Sequence, residues 1–99
     1  MSSLDLELDD AVNKADLNRV KKLLSKGANI EYIDSFGNTP LINAAWVASN
    51  EIVRLLKNKG ANIDHQNNDG YTALEFIKTI GHNDYGHDNV IRTLQEQDY

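Results

Sequence analysis

KGANI occurs twice in this chain, at residues 26–30 and again at 59–63. A shift of 33 residues aligns VKKLLSKGANI (20–30) with VRLLKNKGANI (53–63), and seven of the 11 aligned positions are identical. The same shift also matches positions in a second segment: Gly37 with Gly70, Thr39 with Thr72, and Leu41 with Leu74. Because two separate segments agree on one offset, the sequence predicts a tandem repeat.

The middle repeat, residues 34–66, carries the signals of two short helices. Thr39 is suited to cap a helix, and Pro40 fits the first helical position because no N–H is needed there. A stripe of small apolar residues follows at helical spacing: Leu41, Ala44, Ala45 and Ala48. A second helix is predicted over about 50–58, and Gly60 ends it by taking a left-handed conformation. KGANI is therefore interpreted as a helix end followed by the exit of the chain, in which Ala61 and Ile63 tuck the chain back.

The outer repeats begin their helices differently. In the third repeat alanine replaces the proline, but Thr72 and Glu75 have the spacing of a capping box. In the first repeat we expect a helix from about Ser3 or Leu4, with acidic residues in its first turns. The sequence thus predicts three helical hairpins in succession.

Composition excludes several function classes. The chain of 99 residues has no cysteine, so it has neither disulfides nor a thiolate site. Its formal charge of −5 argues against nucleic acid or an anionic membrane as a partner. It has neither a secretory signal at its start nor an apolar run of membrane-spanning length, and we expect a cytoplasmic protein.

Three features together, GNTPLINAA, the VRLL run and KGANI, resemble the ankyrin repeat family. The resemblance implies an all-α fold: an α-solenoid of three helix–turn–helix repeats joined by short β-hairpin-like turns. It covers nearly the whole chain as one domain, residues 1–99, with repeats of about 1–33, 34–66 and 67–99. We expect a complete three-repeat domain, close to the minimum that stacks stably.

The chain departs from the family pattern at three places. The histidine that usually follows the Thr-Pro-Leu motif is Ile42 in the middle repeat and Glu75 in the third, which predicts looser hairpins. The third repeat carries five extra residues near 81–85, between its two helices. The position of Leu55 is Lys22 in the first repeat and Thr93 in the last, which is typical of polar outer faces on end repeats.

The inserted segment contains the candidates for metal binding. His82, Asp84 and His87, with Asp88, are possible ligands within seven residues, but they lack the spacing of zinc-binding helices. The alternative is a polar loop that lengthens one connection. No nucleophile–base pair and no glycine-rich phosphate loop occurs, so we predict that the protein is not an enzyme and needs no cofactor. We also expect His65, at a hairpin edge, to be exposed to solvent.

Large apolar residues where the repeat does not need them are the candidates for partner binding. Trp46 and Val47 lie off the alanine stripe, and the resemblance implies that their positions and the hairpin tips form a concave face that contacts partners. The predicted contact residues are Phe36, Asn38, Trp46, Val47, Asn68, Asp69, Tyr71 and Ile80. The alternative for Trp46 is packing against Ile80 or Asn13 in the neighbouring repeats.

The sequence therefore predicts a non-catalytic module that binds another protein as scaffold, inhibitor or adaptor and is a monomer when free. Asp34 and Asp69 near the tips favour a partner with a basic patch. Two alternatives stay open. One is a metal- or small-ligand-responsive regulatory module that uses residues 81–88, and the other is a self-associating dimer.

Overall fold

The structure, a computed structural model, describes residues 3–80 and 87–96. These residues contain six α-helices. They are α1 (Ser3–Asn13), α2 (Leu17–Ser25), α3 (Pro40–Trp46), α4 (Asn50–Asn58), α5 (Ala73–Ile80) and α6 (His87–Gln95). No strand occurs in these ranges, which confirms the predicted all-α class. None of the six helices has the length and apolar character that crossing a lipid bilayer requires. The predicted insertion at 81–85 lies outside the described residues.

The predicted helix starts are confirmed. Thr39 caps α3, with its hydroxyl accepting a hydrogen bond from the Ile42 N–H (3.4 Å), and Pro40 is the first helical residue. At α5 the capping box is complete, because the Thr72 N–H donates to Glu75 Oε1 (3.1 Å) and the Glu75 N–H donates to Thr72 Oγ1 (3.2 Å). Two different local devices therefore begin equivalent helices.

Both copies of KGANI end a helix in the same way. Gly60 has φ +90°, and the N–H of the following Ala61 donates to the carbonyl of Leu56 (3.0 Å). Gly27 has φ +100°, and the N–H of Ala28 likewise donates to the carbonyl of residue 23 (3.1 Å). These bonds satisfy carbonyls that a helix end leaves open. The prediction for Ile63 is wrong, because its side chain is 37% exposed and only the alanine turns inward.

The helices pack as three antiparallel pairs, each made of two consecutive helices, and the pairs stack side by side. The first helices of the pairs, α1, α3 and α5, contact one another in that order, as α2, α4 and α6 do. Four alanines of the first helices, Ala11, Ala44, Ala45 and Ala73, are buried in the core, where small side chains let helices approach closely. On the other layer Ile52, Val53 and Leu56 are fully buried, each stabilising the fold by roughly 1.5–3 kcal/mol.

Polar side chains close the turns that precede α3 and α5. In the first turn Asp34 Oδ1 accepts from the N–H groups of Phe36 and Asn38, both at 2.9 Å. In the second, Asn67 Oδ1 accepts from the N–H groups of Asp69 (3.0 Å) and Tyr71 (3.1 Å). The missing histidine predicts looser hairpins, but these Asx-type bonds hold both turns without it.

Two predicted positions are placed differently by the structure. Helix α3 ends at Trp46, so Ala48 is not part of its stripe but lies in the turn before α4 with φ +60°. Thr93 does not form a polar outer face. It is 2% exposed, its hydroxyl donates to Asn50 Oδ1, and it accepts from Arg54 (3.3 Å). The hydroxyl of Thr93 therefore joins α6 to α4. Lys22, at the equivalent position of the first repeat, is exposed as expected.

Candidate functional site

A pocket of about 360 Å³ lies between the first helices of the three pairs and the two hairpin turns. We call it the aromatic pocket. Its lining residues are Asn13, Asp34, Phe36, Asn38, Asn43, Trp46, Asn67, Asp69 and Phe76. Asn13 comes from the end of α1, Asn43 and Trp46 from α3, Phe76 from α5, and the rest from the turns. Its size falls at the low end for ligand pockets, which are about 300–1,000 Å³.

Three aromatic residues form the apolar wall of the pocket. Trp46 packs against Phe76, with ring centroids 5.3 Å apart and planes tilted by 51°. Phe36 contributes from the hairpin turn and is 71% exposed, and Trp46 is 45% exposed. Tyr71 extends this group, since its ring lies 6.2 Å from that of Phe76. Such tilted pairs are favourable beyond the area that they bury, and here they leave ring surface open to solvent.

The polar wall of the pocket is a chain of amide side chains. Asn67 Nδ2 donates to Asn38 Oδ1 (3.0 Å), and Asn38 Nδ2 donates to Asn43 Oδ1 (3.3 Å). Asn43 Nδ2 donates in turn to Asp34 Oδ2 (3.0 Å) and to Asp9 Oδ1 (3.3 Å). This chain links three successive repeats, and because each amide is held by its neighbours, the pocket wall is fixed before any ligand binds.

The charge of the pocket is negative. Asp34 and Asp69 line it, and no lysine or arginine does. Behind Asn43, the pKa of Asp9 is raised because burial removes its carboxylate from water and the carboxylate of Asp34 repels it. The neighbouring Asp10 differs: Arg19 donates a hydrogen bond to it (2.7 Å), which lowers the pKa of Asp10.

The structure brings four of the eight predicted contact residues into this pocket: Phe36, Asn38, Trp46 and Asp69. Three others lie around it. Val47 directly follows the last residue of α3, Tyr71 contacts Phe76, and Asn68 donates to the carbonyls of Phe36 (3.1 Å) and Ser35 (3.2 Å). The side chain of Ile80, the eighth, lies outside the described part of the chain. Asn38 is a predicted contact residue, but its side chain is buried in the amide chain and supports the pocket wall from behind its surface.

Phe76 is the main lining residue that the sequence interpretation missed. The shift of 33 residues matches Trp46 with Thr79, and Phe76 lies three residues earlier, on the same side of α5. Residues three apart on a helix are neighbours, so this spacing could have identified Phe76 as a lining residue. Asp34 and Asn67 occupy equivalent repeat positions. The sequence interpretation placed Asp34 near a hairpin tip but did not identify either side chain as the one that closes its turn, although Asp and Asn favour such turns.

The metal candidates do not form a site in the described residues. His82 and Asp84 lie outside them. His87 is the first residue of α6, is buried, and forms a hydrogen bond from Nε2 to the carbonyl oxygen of Trp46 (3.1 Å). Residues 3–80 and 87–96 contain no group of three His, Asp or Glu side chains able to hold a metal ion. His65, which we expected to be exposed, is partly buried, and its Nε2 forms a hydrogen bond with the carbonyl oxygen of Gly37 (2.9 Å).

Comparison with known proteins agrees with this architecture. The family model described as ankyrin repeats (3 copies) matches residues 8–99. No curated protein gives a significant match. Ankyrin repeats are generally modules of protein–protein interaction. The match covers nearly the whole chain and agrees with the three stacked helix pairs, so the protein belongs to the ankyrin repeat family.

Proposed function

We propose that this chain is a non-catalytic module that binds another protein through the aromatic pocket and the adjoining hairpin turns. The observation that carries the proposal is the meeting of Phe36 and Trp46, two exposed aromatic residues from different elements, in one pocket. Exposed aromatic residues beside a fixed polar wall are typical anchors of protein interfaces. The family supports the same general role.

The proposed mechanism is surface complementarity with little rearrangement. The amide chain from Asn67 to Asp34 holds both turns, and the bonds from Asn68 join them. Since these groups are already ordered in the free protein, association loses less conformational entropy. A standard interface covers about 800 Å² on each partner. The partner must therefore extend beyond the pocket onto the turns and the exposed residues of α5, since Trp46 is the only exposed residue of α3.

The test compares capture of a partner from lysate by the native chain and by a variant with Trp46→Ala and Phe36→Ala. Truncating an interface anchor costs about 2 kcal/mol or more, so each change should weaken binding by about 30-fold. Capture by the double variant should be lost, while its helical circular dichroism is retained. The matched control is Ile63→Ala, which also truncates an exposed apolar side chain but outside the pocket. Equal capture by all three proteins would move the contact surface elsewhere.

A further inference from the structure

We propose that the aromatic pocket receives an arginine side chain of the partner, with its guanidinium group between the aromatic wall and the carboxylates of Asp34 and Asp69. This inference rests on the proposed function and specifies the chemistry of the partner. It is carried by three features that meet in one cavity: open aromatic faces, uncompensated negative charge and the absence of a basic lining residue.

The aromatic wall suits a flat cation. The faces of indole and phenyl rings attract a positive charge within about 6 Å of the ring centre. Trp46 is the strongest such surface, and Phe36 is open to solvent across the pocket mouth. The guanidinium group of arginine is planar and weakly hydrated, so it stacks on rings with little loss of solvation, whereas the compact lysine ammonium is strongly hydrated.

The carboxylates supply the matching acceptors. Within the described residues the Asp69 carboxylate has neither a hydrogen bond nor an ion pair, and Asp34 has no cation within 4 Å. The amide oxygens of Asn38, Asn43 and Asn67 already accept bonds from the protein itself. The oxygens of Asp34 also accept bonds within the protein, but the carboxylates of Asp34 and Asp69 are the lining acceptors that carry a negative charge. They favour a donor-rich cation over a neutral or acidic side chain.

Not every acidic residue near the pocket lacks a cationic partner. Asp10, on the adjacent turn of α1, is neutralised by Lys14 (3.2 Å) and Arg19 (2.7 Å). Asp9 and Asp34 both accept a hydrogen bond from the Asn43 amide, and their carboxylates repel each other. A guanidinium group entering the pocket would supply the positive charge that the pocket lining lacks.

The experiment uses the fluorescence of Trp46, which is the only tryptophan in the chain and lies in the pocket. Three blocked pentapeptides are titrated at low ionic strength: acetyl-Gly-Gly-Arg-Gly-Gly-amide and its counterparts with citrulline or lysine at the centre. Citrulline keeps the shape of arginine but removes the charge. We expect a saturable change with arginine, with a dissociation constant of roughly millimolar magnitude for so few contact atoms. The citrulline and lysine peptides should each bind at least about tenfold more weakly than the arginine peptide.

A matched pair of variants separates the pocket carboxylate from overall charge. Asp69→Asn should weaken arginine binding about tenfold. Asp64→Asn makes the same change of charge at an exposed residue that does not line the pocket, and it should leave binding unchanged. Equal binding of arginine and citrulline, equal binding of lysine, or equal effects of the two variants would each overturn the inference.

The inference and the proposed function fail separately. If capture of a partner requires Trp46 and Phe36 but the arginine peptide shows no selectivity, the arginine inference is overturned and the proposed function stands. If capture does not depend on these aromatic residues, the proposed function is overturned whatever the peptides do.

Discussion

Gly37 offers the sharpest test of how the two hairpin turns pack together. Its backbone is left-handed, with φ +78°, and it lies directly against the turn of the next repeat. A Cβ atom at this position would lie 2.4 Å from Asn68 Oδ1 and 2.7 Å from the Asn68 backbone nitrogen. The side chain of Asn68 can rotate away, but its backbone cannot. Gly37→Ala must therefore separate the two turns.

The expected cost has two parts. A left-handed conformation costs an alanine about 1–2 kcal/mol. Separation of the turns also weakens two hydrogen bonds, from Asn68 N to the Phe36 carbonyl and from Asn68 Nδ2 to the Ser35 carbonyl, each worth about 1 kcal/mol. Alanine is less flexible than glycine in the unfolded chain, which offsets about 0.5–1 kcal/mol of this cost, so Gly37→Ala should lower the free energy of unfolding by about 3 kcal/mol.

Gly70→Ala is the matched control. Gly70 occupies the equivalent turn position with φ +83°, but no atom lies within 4 Å of its added Cβ. Its cost is limited to the backbone strain of about 1–2 kcal/mol, reduced by about 0.5–1 kcal/mol because alanine is less flexible than glycine in the unfolded chain. Urea unfolding followed by circular dichroism measures both variants, and we expect Gly37→Ala to be about 2 kcal/mol less stable than Gly70→Ala. Equal destabilisation would refute the direct packing of the two turns.

Three further predictions concern other parts of the fold. Ala48→Gly removes an alanine from a left-handed conformation and should raise the free energy of unfolding by about 0.5–1 kcal/mol. The gain is less than the full strain because glycine is more flexible in the unfolded chain. A lower melting temperature would contradict this prediction. Thr93→Val leaves Asn50 Oδ1 without its donor and should cost about 1 kcal/mol in urea unfolding, whereas no loss would mean that the hydroxyl is not a structural link. The third change, Asp9→Asn, tests charge. The folded-state pKa of Asp9 is raised, so its ionisation opposes folding above that pKa and has no effect below its unfolded pKa near 3.8. Asp9→Asn should therefore melt at a higher temperature than the native chain at neutral pH, and this gain should vanish as the pH falls below about 4. A gain that is independent of pH would exclude the charge of Asp9, which burial and then repulsion from Asp34 disfavour, as its source.

Local signals explain why the helix boundaries were predictable. Thr39 and Thr72 begin helices through bonds to residues three positions away, and Gly60 ends one through its own backbone conformation. Such interactions depend on neighbouring residues in the sequence, so composition and spacing reveal them. The placement of Thr93 could not be inferred in this way, because its partners on α4 lie about 40 positions earlier in the chain.

The candidate site was predictable only in part. Trp46 and Phe36 could be identified because large apolar residues at positions that the helical stripe does not use need another explanation. Phe76 was missed because the repeat aligns it with Asn43, a residue of different chemistry. The amide chain was missed because its bonds join turns 29 residues apart, as between Asn67 and Asn38. The sequence indicated which residues were available, whereas the stacking of the repeats determined which of them meet.

Site-specific photo-crosslinking tests the central claim most directly, because it reports which surface touches the partner. A benzophenone amino acid replaces Phe36 at the mouth of the pocket or Ile63, an exposed apolar residue outside it. In lysate of the native host, irradiation should give a discrete adduct from position 36, with an arginine in the crosslinked peptide of the partner, and no adduct from position 63. An adduct from position 63 with none from position 36 would contradict the account.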